Sequence, residues 1–256
     1  MNVYQEIARQ LQRSTRVLFI TGAGVSADSG LPTYRGLGGL YEDAITDEGL
    51  AIEEALSGGM MAAHPEITWK YLLQIERNCR GAQPNLAHRV IADLEREVEA
   101  IVYTQNVDGL HLAAGSSRVI EIHGNLHDLS CTRCDFATRV DSYAGFADPP
   151  HCPRCPVCRA PLRPGVVLFG EALPEAALVA LDEALADGID LVFSIGTSSL
   201  FPYIVEPVVW ARAAGIPTVE INPAATAISG LVDYPVRAGA AEAMGRIWHA
   251  LLAGRG

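Results

Sequence analysis

The apolar positions of the chain follow two rhythms. Val3, Ile7 and Leu11 recur at four-residue intervals between polar neighbours, which predicts an opening helix with one face for a sheet. Residues 17–20 (VLFI) then form a continuous apolar run, and similar runs return at 100–104 (AIVYT), 119–122 (VIEI), 191–195 (LVFSI) and 218–221 (TVEI). Runs that do not alternate with polar residues belong to strands buried on both faces, the condition of a parallel sheet. Helical periodicity separates the first two runs. Its clearest case is 85–97, where Asn85 is the expected cap and Leu86, Val90 and Leu94 share a face. The pattern predicts an α/β fold with a doubly wound parallel sheet.

Each run ends in small or polar residues. These are Thr21-Gly22-Ala23-Gly24, Gln105-Asn106-Val107-Asp108, His123-Gly124-Asn125, Gly196-Thr197-Ser198-Ser199 and Asn222-Pro223. Open parallel sheets bind ligands outside the carboxyl ends of their strands, so these clusters are expected on one rim. Gly22, Gly24 and Ala27 fit G-x-G-x-x-A. In that fingerprint the first glycine makes a tight turn, the second admits a pyrophosphate, and the third small residue lets helix and strand pack closely, which makes the sheet Rossmann-like. Ser26, Ala27 and Asp28 read as a helix start that Ser29-Gly30-Leu31-Pro32 stops early.

Two stretches interrupt the alternation. Residues 37–81 carry helical periodicity only, in 45–58 and 64–79, where a dehydrogenase would deliver a strand ending in an acidic ribose ligand. Asp43, Asp47 and Glu48 lie near that distance with no strand before them, which argues against hydride transfer. Residues 128–163 are poor in large apolar side chains and rich in cysteine. Cys131-x-x-Cys134 opens this stretch, and Cys152, Cys155 and Cys158 close it. Paired C-x-x-C knuckles ~20 residues apart indicate a structural tetrahedral zinc, whose binding supplies folding energy that burial cannot. By spacing, Cys152/Cys155 and Cys155/Cys158 are both legal second knuckles. The expected organisation is a Rossmann-like domain of residues 1–36, 82–127 and 164–256. A smaller domain is made of a helical insertion, 37–81, and a zinc-binding insertion, 128–163.

Composition narrows the function. A chain of 256 residues, 49% hydrophobic and 19% charged, can bury a large core, and a net charge of −11 argues against a general nucleic-acid or anionic-membrane binder. The first residues lack the apolar stretch of a signal peptide, and no apolar run is long enough to span a bilayer. Six cysteines without an export signal point to metal ligands or free thiols, and to a reducing cytoplasm. Beside a nucleotide loop, Gln105, Asn106 and Asp108 combine amides with a carboxylate, a set that can grip a carboxamide such as that of nicotinamide. His123, flanked by Gly124 at a strand end, suits a general base. His64, His88, His111, His127, His151 and His249 lack such a setting and read as structural or surface residues.

GAGVSADSGLPTYRG (22–36), QNVDGLH (105–111), IHGN (122–125), the paired C-x-x-C, LRPGVVLFGE (162–171), GTSS (196–199) and EIN (220–222) together resemble, in order and spacing, the sirtuin (Sir2) family of NAD-dependent protein deacylases, bacterial type. The resemblance implies that NAD is consumed as co-substrate. It implies NAD-binding roles for Gly22, Ala23, Gly24, Ser26, Asp28, Tyr34, Arg35, Gln105, Asn106, Asp108, Gly196, Thr197, Ser198, Asn222 and Ala240. His123, Asn106 and Asp108 become the catalytic set, with His123 deprotonating a ribose hydroxyl after the acyl oxygen has expelled nicotinamide. The products would be free lysine and an O-acyl-ADP-ribose. One structural zinc falls to Cys131, Cys134, Cys155 and Cys158, leaving Cys152 as an extra thiol. An acyl-lysine protein or peptide would pair as a β-strand with Val167, Leu168, Phe169, Gly170 and Glu171. The alternatives are a mono-ADP-ribosyltransferase and a deacylase for longer acyl groups. A non-catalytic NAD sensor would require a broken set, whereas Asn106, Asp108, His123 and Arg35 are all present. Three departures stand out: Tyr34 where the family usually has Phe, Pro202 displaced from the common proline position, and Cys152. Succinyl-removing members carry Tyr-x-x-Arg at positions that fall here on Leu72 and Ile75, so short uncharged acyl groups are expected.

Overall fold

The computed structural model describes residues 2–33, 45–146 and 152–254. In chain order the first half contains α1 (Val3–Arg13), β1 (Arg16–Thr21), α2 (Ile52–Ala55), α3 (Gly58–Ala63), α4 (Pro65–Cys79), α5 (Leu86–Leu94), β2 (Glu99–Thr104), α6 (Leu110–Ala114) and β3 (Val119–Glu121). The second half adds β4 (Gly124–Cys131), β5 (Ala137–Arg139), β6 (Leu162–Val166), α7 (Glu175–Ala186), β7 (Leu191–Ile195), α8 (Pro202–Ala213), β8 (Thr218–Ile221), β9 (Tyr234–Val236) and α9 (Ala240–Ala253). Among these residues no helix is long and apolar enough to cross a membrane.

All five apolar runs are strands of one six-stranded parallel sheet, ordered β3-β2-β1-β7-β8-β9. The chain leaves β1 in one direction to build β2 and β3 and later returns beside β1 to build β7, β8 and β9. The strand order therefore reverses at β1 and β7, and the crevice for a ligand opens there. Period-two geometry divides β1 between two cores. Val17 and Phe19 face α1, α5 and α9, where Ile7, Leu11, Ile91, Leu94 and Ile247 are buried, and Phe19 stacks on Phe193 at 4.9 Å. Leu18 and Ile20 face the opposite layer with Leu181, Ile204 and Val208 of α7 and α8. Each such side chain, fully withdrawn from water, contributes about 2 kcal/mol of hydrophobic stabilisation before entropy is counted.

Three local expectations are corrected, and one strand was not foreseen. The buried face of α5 is Ala87, Val90, Ile91 and Leu94, while Leu86 is half exposed. Leu86 follows the Asn85 cap directly and lies over Gly245 of α9 instead. Ser26–Asp28 does not start an α-helix: two 3₁₀ turns, Ala23–Val25 and Ala27–Ser29, end at Gly30 with φ +82°. Residues 45–58 are not one helix, because Gly49 (φ +76°) closes a turn on Thr46 before the short α2. Finally, β9 has no apolar run to announce it. Its Pro235 removes one ladder donor, which an edge strand tolerates.

The residues between β3 and α7 form a second sheet, antiparallel, ordered β5-β4-β6. Gly124 turns the chain into it with φ +73°, and a Cβ there would lie 1.8 Å from the Gly165 carbonyl oxygen, so only glycine fits. Helix α4 packs against this sheet. Trp69 Nε1 donates to the Leu162 carbonyl at 2.7 Å, and its ring meets Tyr143 and Phe146. Leu72, Leu126, Leu129, Tyr143, Cys155 and Leu168 share one core, so both interrupting stretches form a single smaller unit beside the parallel sheet.

Candidate active site

Two glycine turns meet over the carboxyl ends of β1 and β7. The Gly22 amide donates to Ile195 O (3.1 Å) and the Gly24 amide to Gly196 O (2.8 Å). A Cβ on Gly24 would lie 2.7 Å from Gly196 Cα, and one on Gly196 (φ +61°) would lie 2.4 Å from Gly24 C. The glycines of the fingerprint are thus required by contact between the two loops. Beside them lies a small cavity lined by Ala23, Ser26, Leu31, Ile75, Cys79, Asn106, Val107 and Asp108.

The polar floor of this cavity is a connected network. Asn106, buried, donates Nδ2 to Gly22 O and to Ser26 Oγ, both at 3.2 Å. Ser26 Oγ donates to Asp108 Oδ2 at 2.7 Å, and Asp108 Oδ1 accepts from the Leu110 amide. Burial pushes the Asp108 carboxyl above its ordinary value, against the pull of those donors. Behind Ser26 stand two histidines that read as structural in the sequence. His88 Nδ1 accepts from the Asn85 amide, so its Nε2 carries the proton and faces Ser26 Oγ at 3.5 Å. His111 Nε2 meets Thr21 Oγ1 at 2.9 Å, and the two imidazoles touch at 4.8 Å. Burial lowers His88 to about 4 and His111 to about 3, so both are neutral near pH 7. The capping position three residues after Asn85 was the available signal for His88; nothing local marked its reach to Ser26.

His123 follows β3 with both ring nitrogens occupied. Nδ1 lies 3.0 Å from Gln105 O and Nε2 lies 2.8 Å from Tyr203 Oη, while burial holds the imidazole below its ordinary pKa. Gln105 Nε2 donates to Thr197 Oγ1 (2.8 Å) and Asn222 Nδ2 to Thr197 O (3.0 Å), linking the rims of β2, β7 and β8. Ser198 is exposed beside them. Asp28 accepts from the Ala241 amide in the first turn of α9, next to buried Ala240. Tyr34, Arg35 and His151 lie outside the described residues.

The segment after β6 bridges the sheet rim and the helical stretch. The Val167 amide donates to His123 O (2.9 Å), the Phe169 amide to Leu56 O (3.0 Å), and the Gly58 amide to Phe169 O (3.0 Å). Leu168 is buried, Gly170 takes φ +79°, and Glu171 forms a two-pronged pair with Arg163 (2.7 and 2.8 Å). Phe169 spends both backbone groups internally, and the Leu168 amide donates to Glu171 Oε2 at 3.0 Å. Further out, Cys131, Cys134, Cys155 and Cys158 place their sulfurs within 4.8 Å of one another, with Cys131–Cys158 at 3.4 Å and Cys134–Cys155 at 3.6 Å. Four thiolates at ~2.3 Å around zinc are about 3.8 Å apart, so the cluster fits that ion and leaves no open position. Cys152 is buried outside it, near Pro153 O and Leu162 O.

Residues 22–202 match the model of the Sir2 family. The chain belongs to the Sir2 family. A similar curated relative, NAD-dependent protein deacylase 2 of Pseudomonas syringae pv. tomato, is 49% identical over 245 residues, covering 94% of this chain and 98% of the relative. A solved Sir2 homologue–NAD complex superposes with TM-score 0.86 at 35% identity, over 98% of this chain and 95% of that one. A Sir2 protein with a deacetylated p53 peptide and 3′-O-acetyl ADP-ribose gives TM-score 0.83 at 29% identity, over 96% and 97%. Within this Sir2 fold Pro202 opens α8, so the displaced proline sets Tyr203 against His123.

Two predictions follow from this geometry. Zinc should be retained at about one per chain in Cys152→Ser and lost in Cys158→Ser, read by metal analysis of the purified proteins; the reverse result would assign the other knuckle. The histidine pair gives a pH signature. Both folded-state pKa values lie below the ordinary 6.5, so the unfolded chain binds more protons and stability falls as pH drops below 6.5, until about 4 for His88 and about 3 for His111. Each group should remove up to ~1.4 kcal/mol per pH unit. Denaturant titrations between pH 7 and 5 should show this slope reduced in His88→Gln; an unchanged slope would contradict the buried neutral assignment.

Proposed function

We propose that the chain is an NAD-dependent protein-lysine deacetylase that releases nicotinamide, O-acetyl-ADP-ribose and free lysine in the cytoplasm. The observation that carries this reading is a neutral imidazole, His123, beside a cavity whose floor offers a buried amide and carboxylate. NAD supplies an anomeric carbon whose bond to nicotinamide can be broken by an acyl oxygen. Gly22, Ala23, Gly24 and Ser26 receive the pyrophosphate, with Gly196, Thr197, Ser198 and Asn222 toward the adenosine end. Asp28 and Ala240 support that end through the first turn of α9, and Tyr34 and Arg35 complete the cofactor side. Asn106 keeps its amide oxygen, and Asp108 keeps further lone pairs, for the nicotinamide carboxamide. Gln105 holds the base: its carbonyl accepts from Nδ1 and leaves Nε2 as the atom that takes a proton. The acyl-lysine peptide lies along residues 167–171, between the helical insertion 37–81 and the zinc-binding insertion 128–163. The remaining residues form the NAD-binding domain. The zinc at Cys131, Cys134, Cys155 and Cys158 is structural.

Mass spectrometry of an acetyl-lysine peptide incubated with NAD and the protein should show O-acetyl-ADP-ribose; ADP-ribose on the peptide or protein would favour transferase chemistry instead. His123→Ala should lose at least ~100-fold in deacetylation while still binding NAD, because the base acts after binding. Near-normal turnover by that variant would remove His123 from the mechanism.

The acyl group should be short and uncharged. Leu72 is buried in the core of the smaller unit, and Ile75 lines the cavity. Tyr71, one residue from the expected phenol position, spends its hydroxyl on Glu48. A succinyl carboxylate would be buried without a partner at these positions, which costs several kcal/mol. On one peptide, kcat/KM for acetyl-lysine should exceed that for succinyl-lysine by ~100-fold or more. Equal turnover would show that another cation reaches the acyl group.

A further inference from the structure

We propose that Tyr203 is a further catalytic residue, whose hydroxyl relays the proton from the ribose hydroxyl to Nε2 of His123. The inference rests on the reading of His123 as the base and assigns the path by which that base is reached.

The argument begins with tautomers. A backbone carbonyl can only accept, so the 3.0 Å contact to Gln105 O puts the imidazole proton on Nδ1. Nε2 then has one lone pair, and Tyr203 Oη, at 2.8 Å, donates into it. Any proton destined for Nε2 must displace the phenol or pass through it.

Displacement is opposed by the way the ring is held. Tyr203 stacks on Phe201 with centroids 5.4 Å apart and planes 13° apart, and it meets the His123 ring edge-on at 5.9 Å. Phe201 also meets His123 edge-on, at 6.3 Å. The Tyr203 carbonyl accepts from Tyr103 Oη of β2 at 3.3 Å, and Pro202 fixes the backbone where α8 begins. Swinging the ring out would break the stack and the edge contacts together. Passing a proton through the hydroxyl requires no such movement.

The transfer balances without a co-reactant. The ribose O–H bond breaks as a new O–H bond forms on Tyr203 Oη, and the original Tyr203 O–H bond breaks as N–H forms on His123 Nε2. The ribose oxygen keeps its electron pair for attack on the acyl-derived carbon. Tyr203 ends as a neutral phenol, and His123 ends as imidazolium.

Tyr203→Phe tests the relay, because it keeps the ring and deletes only the oxygen. In single-turnover assays with acetyl-peptide and NAD, O-acetyl-ADP-ribose formation should slow by about 100-fold, while nicotinamide release, which precedes the base, stays at the wild-type rate. In mixed H₂O/D₂O the wild-type dependence should be curved, with two protons in flight, and the variant's linear. In the free protein, the ¹⁵N signal of His123 Nε2 should move downfield in Y203F toward that of an imidazole nitrogen accepting no hydrogen bond. A wild-type or faster product-forming step in Y203F, or an unmoved Nε2 signal, would overturn the relay. His123→Ala separates the two claims. If H123A is inactive and Y203F normal, the relay alone fails; if H123A is fully active, the base assignment fails first.

Discussion

The contact between the Gly22–Gly24 turn and Gly196 is the constraint on which the rest of the site depends. Two main chains approach until a single methyl group would lie within 3 Å of the opposite backbone. Their amides and carbonyls pair directly, so the carboxyl ends of β1 and β7 behave as one surface. From that surface Thr197 reaches Gln105, Gln105 holds His123, and Asn106 returns to the Gly22 carbonyl. Shifting either turn by an ångström would loosen His123 and Asn106 together. The glycines of the dinucleotide fingerprint are therefore also required here by the packing of one loop on another.

Beneath this surface the protein accepts a cost in stability. Ser26, Asn106, His88 and His111 are buried polar side chains in the layer where a core would otherwise be apolar. Most of their hydrogen-bonding capacity is met internally, but His111 Nδ1 has no protein partner among the described residues. An unsatisfied buried donor or acceptor costs about 1–3 kcal/mol. The return is a rigid floor. Ser26 accepts from one side and donates to Asp108, so the orientation of the carboxylate is fixed before any ligand arrives. The large apolar cores on either side of the sheet make this arrangement tolerable.

Local sequence revealed the parts of this design that are local. Strand runs, the Asn85 cap and the clusters at strand ends are properties of a few adjacent residues, and all are found where the pattern placed them. Leu86 is exposed because a helix's first residue has no preceding turn to pack beside it, which periodicity alone does not weigh. The 3₁₀ turns after β1 depend on a hydrogen bond to Gly196, far along the chain, and helix propensity contains no trace of it. His88 and His111 looked ordinary for the same reason, since Ser26 and Thr21 lie more than sixty residues away. Cysteine spacing left two possible knuckles, and three-dimensional proximity gathers only one set of four sulfurs. Tyr203 was visible only as a displaced proline beside it.

The metal cluster bears on the site through one strand. Cys155 and Leu162 share a core with Leu72 of the helical stretch and with Val166 and Leu168. Strand β6 runs from that core to the Val167 amide, which bonds to the carbonyl of His123 itself. A closed tetrathiolate has no chemistry to offer a substrate, but it fixes the outer end of a strand whose inner end touches His123. The small sheet has few large side chains of its own around β5, where all three residues are exposed, so ligation supplies order that packing does not. The cysteine cluster, residues 162–171 and His123 thus form one mechanical line. The pair Arg163–Glu171 braces its middle, where hydrogen bonding to the guanidinium holds the Glu171 carboxyl below its ordinary value. Disorder introduced at the cysteines would therefore reach the placement of the His123 imidazole through β6, without any change in the turns at the ends of β1 and β7.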